Sequence, residues 1–213
     1  MNREEVWQQM RINTGTSPTG HKSFDSLGFL VVRDVVPHDL IKSIPNFKSG
    51  RMDGDDNWVE YATQVPGSLE RYRHPDFKDL HVSCKKIIED ILGVELYLTY
   101  YFDRYYHTGE MLEYHADRPS CEISASVHCS TNLPEPYNDW PLYIQSVDNR
   151  EHCVHLNKGD MVIYKGCERP HWRNALTTPY QADYHFDERY YYHQVFLHYV
   201  LQQGIRSHHR FDK

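Results

Sequence analysis

Two stretches of strict alternation constrain what this chain can fold into. From residue 95 to 106, Leu96, Leu98, Tyr100 and Phe102 fall on one side of an extended backbone. From 121 to 129, Cys121, Ile123, Ala125, Val127 and Cys129 share one side, while Glu122, Ser124, Ser126 and His128 take the other. A period of two is the signature of a strand, because successive side chains point to opposite faces. Shorter strand-like runs lie at 28–36, 141–145, 153–156, 160–164 and 190–201. The 17 tyrosines fit this reading, since aromatic residues favour pleated surfaces.

Helical periodicity is confined to the N-terminal part. Residues 76–92 carry Leu80, Ile87, Ile88 and Ile91 on one stripe, with Asp76 as a possible cap and Gly93 as the stop. A short helix is expected over 3–11, and another start at Pro37. Between 46 and 74 periodicity is lost and Pro, Gly and Asp recur, which predicts a long surface excursion serving as a lid. The expected architecture is one domain over 1–213, mainly β with flanking helices (α+β). Its N-terminal support spans about 1–93 and its β core about 94–201.

Composition excludes some functions. Net charge is −7, and no basic run is long enough to neutralise a series of phosphates, so duplex nucleic acid is not an expected partner. The five cysteines lack C-x-x-C spacing, which indicates neither a zinc site nor a disulfide framework. No apolar run approaches membrane-spanning length and the first ten residues lack an apolar signal core, so a cytoplasmic protein is expected.

The chemistry-bearing constellation is His115-Ala116-Asp117 with His171 more than fifty residues later. Residues i and i+2 of an extended segment point the same way, so His115 and Asp117 can reach one metal together. Two imidazoles and a carboxylate on one face leave three coordination positions open, which is the facial triad of non-haem iron(II) oxygenases. With 15 histidines in the chain, an H-x-D match alone carries little weight. Its surroundings carry more.

Residues 106–124, YHTGEMLEYHADRPSCEIS, resemble the first iron-binding segment of the prolyl-4-hydroxylase-like branch of the iron(II)/2-oxoglutarate oxygenases. Residues 159–173, GDMVIYKGCERPHWR, resemble its second: a Gly-Asp turn, a strand, then the distal histidine. The run GFLVVRDVV at 28–36 and the closing QVFLHY at 194–199 extend the likeness over about 25–201, apart from 46–74. The resemblance implies a double-stranded β-helix, a cupin-like jelly roll with the metal between its sheets. It also implies Fe(II), 2-oxoglutarate as cosubstrate, O2, and ascorbate as an in-vitro reductant. The implied reaction is hydroxylation of an unactivated C–H bond in a small molecule or peptidyl residue such as proline, with release of succinate and CO2. An intact Asp117 argues for hydroxylation over halogenation.

The distal carboxylate of the cosubstrate requires a buried cation, best met by a guanidinium. In the resembled family this residue opens the last core strand, about ten residues after the distal histidine. Here position 181 is glutamine, and the first basic residue before that strand is Arg189, in phase with Val195 and Leu197. Arg173 and Arg118 are its rivals. Tyr106 stands where relatives place a tyrosine that touches the cosubstrate, and Arg104 shares its face. Arg118 and Trp172 are candidate substrate contacts, while His193 and His198 read as packing residues. Two other functions remain open: a non-oxidative metal-dependent jelly-roll enzyme, and a non-catalytic binding β-sandwich.

Overall fold

A computed structural model describes residues 2, 4–5, 16–41, 64–178 and 190–212. Ten strands and two helices appear among them. In chain order they are α1 (Lys22–Leu27), β1 (Phe29–Val32), β2 (Leu69–Tyr72), α2 (Lys78–Leu92), β3 (Leu96–Tyr106) and β4 (Leu112–His115). Next come β5 (Ile123–Thr131), β6 (Leu142–Gln145), β7 (Glu151–Val154), β8 (Met161–Tyr164), β9 (His171–Arg173) and β10 (Tyr192–Leu201). A six-stranded sheet in the order β1-β8-β5-β10-β3-β2 faces a four-stranded sheet in the order β4-β9-β6-β7, and every pairing is antiparallel. From β3 to β10 the chain crosses repeatedly between the two sheets, as a jelly roll does.

Of the expected helical stripe, Leu80 and Ile88 are buried and Ile87 and Ile91 are half-buried. Leu80, Cys84, Ile88 and Leu92, four apart, join Tyr101, Ile123, Ala125, Val127, Val195, Leu197 and Tyr199 in one core cluster. α2 therefore lies on the outer face of the larger sheet. Gly93 ends it in the left-handed region (φ 68°), with its N–H donating to the Glu89 carbonyl. The N-terminal boundary differs from the expectation. Asp76 falls in a 3-10 turn, Pro75–Phe77, and Phe77 occupies the cap. The predicted helix start after Pro37 is only a 3-10 turn, His38–Leu40. The predicted helix at 3–11 lies largely outside the described residues.

The other face of the large sheet is buried too, and it is polar. Ser124, Ser126 and His128 of β5 and Gln194 and His198 of β10 are each at most 5% exposed. Alternation sends them away from α2, into the space between the sheets. The segment 46–74 also departs from the expectation of a surface excursion. Leu69–Tyr72 is an edge strand paired with β3, and Leu69 and Arg71 are buried. The portion 46–63 lies outside the described residues. No helix among the described residues is long and apolar enough to cross a membrane.

Candidate metal centre

His115 ends β4 and His171 begins β9, and the two are directly opposite in the antiparallel register. Their rings lie 4.3 Å apart between centroids. Asp117 follows two residues after His115, its N–H held by the Gly166 carbonyl at 3.0 Å. Its Oδ1 is 3.3 Å from His115 Nε2 and 3.6 Å from His171 Nε2. Metal–ligand bonds of about 2.1 Å put neighbouring donors about 3 Å apart at right angles, so this spacing fits one face of an octahedron.

The tautomers suit the task. His115 Nδ1 lies 2.8 Å from the Glu113 carbonyl and His171 Nδ1 lies 3.0 Å from the Arg169 carbonyl. A carbonyl only accepts, so each Nδ1 carries the proton and each Nε2 presents a lone pair. Burial pushes His171 down to about 4, so it is neutral at physiological pH and need not lose a proton to bind. Burial pushes the Asp117 carboxyl up, but His171 and His115 beside it more than offset that and hold it well below the usual range.

Gly166 matters for a different reason. A Cβ there would lie 2.5 Å from Asp117 Oδ2, 2.4 Å from Ser124 Oγ and 2.7 Å from the Cys121 carbonyl. The Gly166→Ala substitution should displace the carboxylate. We expect it to weaken metal binding by at least about tenfold while the apo protein stays folded, measured by metal titration and circular dichroism. Unchanged affinity would mean that the carboxylate has room to move.

A cavity of about 290 Å³ opens over these three residues. Tyr72, Tyr100, Phe102, Arg104, Arg118 and His198 are among its walls. Arg118 stacks on Tyr100 at 4.2 Å, and its Nε donates to the Tyr100 hydroxyl at 3.1 Å. Arg104 is neutralised: it pairs with Glu70 and donates to the Tyr106 hydroxyl and Gln64 Oε1, both at 3.0 Å. Glu70 and Tyr72 reach the cavity from β2, a strand absent from the sequence reading.

Deeper between the sheets lies a different arginine. Arg173 is 1% exposed and stacks against Trp140 and Tyr192 at 4.6 and 5.3 Å. It donates to the Trp140 carbonyl at 2.5 Å and hydrogen-bonds Tyr192, yet its Nε has no partner and it forms no ion pair with a carboxylate among the described residues. Buried polar atoms nearby are also unsatisfied: His128 Nδ1, Ser126 Oγ and both amide atoms of Gln194. A buried guanidinium without a counter-charge is costly. Arg173 itself is not among the walls of the cavity over the triad.

No family model matches the sequence, and no curated protein matches it either. Solved structures do match the fold. A Pseudomonas putida prolyl-4-hydroxylase superposes with a TM-score of 0.55 at 14% identity, covering 84% of this chain and 97% of that one. HygX from Streptomyces hygroscopicus, solved with nickel and 2-oxoglutarate, gives 0.57 at 13% identity over 93% and 87% of the two chains. The non-haem α-ketoglutarate-dependent epimerase SnoN from nogalamycin biosynthesis gives 0.58 at 11%, over 91% and 83%. The chain has the 2-oxoglutarate oxygenase fold.

Within that oxygenase fold the residues named from sequence separate clearly. His115, Asp117 and His171 converge, with Arg104 and Arg118 lining the cavity above them. Tyr106 is fully buried beside Arg104 and edge-on to Trp140. Trp172 is not among the cavity walls. It alternates with His171, stacks on Tyr143 at 5.4 Å and belongs to the opposite face of its sheet. Arg189 lies outside the described residues. The face of Val195 and Leu197, with which it was in phase, packs on α2 rather than on the cavity.

His198, read from the sequence as a packing residue, lies in the cavity wall. Its Nδ1 lies 3.0 Å from Ser124 Oγ, which is 3.3 Å from both Asp117 Oδ2 and the Cys121 carbonyl. Both of those oxygens only accept. The hydroxyl therefore donates to one of them and accepts from His198 Nδ1. His198 steadies the surroundings of the carboxylate, and its unpartnered Nε2 is an acceptor in the wall of the cavity region. Only its parity with Phe196 could have signalled this.

Proposed function

We propose that this protein is a non-haem iron(II)- and 2-oxoglutarate-dependent oxygenase that hydroxylates a C–H bond of a small molecule or a peptidyl residue. The observation that carries this reading is the facial arrangement of His115 Nε2, His171 Nε2 and one Asp117 oxygen beneath an open cavity. Neutral imidazoles and a carboxylate are the donor set for iron(II), and their common face leaves room for a chelating cosubstrate and oxygen. Bound iron with 2-oxoglutarate and O2 supplies the oxidation, with succinate and CO2 as coproducts. The protein holds the open site, orients the substrate and keeps water out.

For the cosubstrate anchor we favour Arg173 over Arg104 and Arg118. What supports it is the lack of a carboxylate partner among the described residues, burial like that of the unsatisfied His128 and Gln194 groups, and a place two residues after His171 on the same face of β9. Tyr106 stands by as a second contact, and Arg118 with Tyr72 and Tyr100 faces the substrate side.

Two measurements test the reading. Anaerobic titration of the iron(II)-loaded protein with 2-oxoglutarate should give a saturable visible charge-transfer band, and aerobic turnover with ascorbate should release succinate. Iron-loaded protein that does not take up 2-oxoglutarate would exclude the proposal. Arg173→Met should raise the half-saturating 2-oxoglutarate concentration by about thirtyfold or more, as expected when a buried charge pair loses one partner, with iron affinity unchanged. An unaltered half-saturation point would move the anchor to another residue.

A further inference from the structure

A second chemical constellation lies on the edge strand of the smaller sheet, outside the metal centre. Four of the five cysteines are buried, and Cys153 on β7 is exposed. Its Sγ is 3.3 Å from His155 Nε2, and His155 Nδ1 is 2.6 Å from Asp139 Oδ1. The carboxylate only accepts, so Nδ1 carries the imidazole proton and Nε2 turns a lone pair toward the thiol. Tyr143, opposite Cys153 in the β6–β7 register, hydrogen-bonds the same thiol and also Asn174. A nucleophile in reach of a base, with a third group orienting the base, is the arrangement of an activated thiol.

The surroundings offer a place for a ligand. A cavity of about 300 Å³ lies against this group, with Tyr137, Asp139, Trp140, Tyr143 and Asn174 in its wall. Asp139 and Tyr143 thus belong both to the cavity and to the group around the sulfur.

We propose that Cys153 is a thiol–disulfide exchange site for a small disulfide held in this groove, with His155 as its base and Asp139 as the residue that positions the imidazole. The thiol gives its proton to His155 Nε2 as Sγ attacks one sulfur of the disulfide. The S–S bond of the small molecule breaks, a mixed disulfide forms on Cys153, and the departing thiolate takes the proton from His155 to leave as a free thiol. The disulfide is the only oxidant required, and the metal takes no part.

The test uses the full chain and glutathione disulfide as probe, with adduct formation followed by intact mass and located by peptide mapping. One adduct should form, on Cys153, faster than on N-acetylcysteine in the same buffer. His155→Gln should slow it by about tenfold or more, and Asp139→Asn by less. Free imidazole added to His155→Gly should restore part of the rate, which a merely structural role would not predict. Equal rates in wild type and His155→Gln, or an adduct on another cysteine, would overturn the assignment.

Discussion

Replacing Asp117 with alanine is expected to abolish metal-dependent turnover and to weaken iron(II) binding by at least about a hundredfold, while leaving the apo protein folded. A substitution in the groups that merely support a metal ligand typically costs ten- to a hundredfold, so loss of a ligand itself should cost more. Asp117 is the only anionic donor in the triad, since imidazoles bind a metal as neutral ligands. Without it, two neutral imidazoles face a dication with no compensating charge. The apo protein should not suffer in proportion. In the absence of metal, Asp117 still gains more from His171 and His115 than its desolvation costs, so the apo variant should lose some stability and stay folded. The two effects separate in thermal unfolding. Wild type at an iron(II) concentration about a hundred times its Kd should gain about 2.7 kcal/mol of stability, and the Asp117→Ala protein no more than about 0.4 kcal/mol. His115→Ala and His171→Ala should behave alike, because the two histidines sit opposite each other on paired strands. Retained metal stabilisation in all three variants would remove the metal centre from these residues.

The sequence reading succeeded where periodicity has one meaning and failed where it has two. The β3 and β5 strands, the α2 stripe and the H-x-D pair were all legible, because each rests on a local pattern and a short spacing. The distal histidine needed the longer resemblance, since nothing in residues 118–170 says that β4 and β9 will pair. Strand parity was the weak point. In β10 every residue is buried, because one face carries α2 and the other lines the space between the sheets. Parity can say that Val195 and Leu197 share a face but not which of the two core faces it is. It therefore cannot by itself assign Arg189, which lies outside the described residues, to the cavity, and it passed over His198. The Ser124, Ser126 and His128 row misleads in the same way: by polarity it reads as a solvent face, whereas it is interior. The strand β2 was missed because it has only four residues, LERY, two of them charged, just after a Pro-Gly turn. Burial of Arg71 there depends on Asp103, a partner 32 residues away that no local pattern reveals.

The same polar interior leads to a strong dependence of stability on acidity. Four imidazoles are kept neutral in the folded chain, chiefly by burial: His81, His171 and His198 at about 4 and His128 at about 3. His193 is shifted in the same direction. In the unfolded chain each would titrate near 6.5. Below that pH the unfolded state binds protons that the folded state refuses, so stability falls as pH drops from about 6.5 toward 4. Glu110 opposes this. Burial raises its carboxyl to about 7, so between about 4.5 and 7 the folded state holds a proton that the unfolded state lacks. Four imidazoles against one carboxyl leave a net of about three protons, a slope approaching about 4 kcal/mol per pH unit near pH 5. Two such units remove about 8 kcal/mol, a large share of a total stability of about 5–15 kcal/mol. We therefore expect the metal-free protein, stable at pH 7.5, to lose several kcal/mol by pH 5.5 and more by pH 4.5, as measured by urea titration at stepped pH. His81→Gln isolates one contributor far from the metal. It should flatten the slope by about 1.4 kcal/mol per unit, even if it lowers stability at pH 7.5 through the lost contact with the His198 carbonyl. A flat profile between pH 7 and 5 in the wild type would mean that these rings are protonated or solvated in the folded state, and the neutral donor set argued for the metal centre would fail with it.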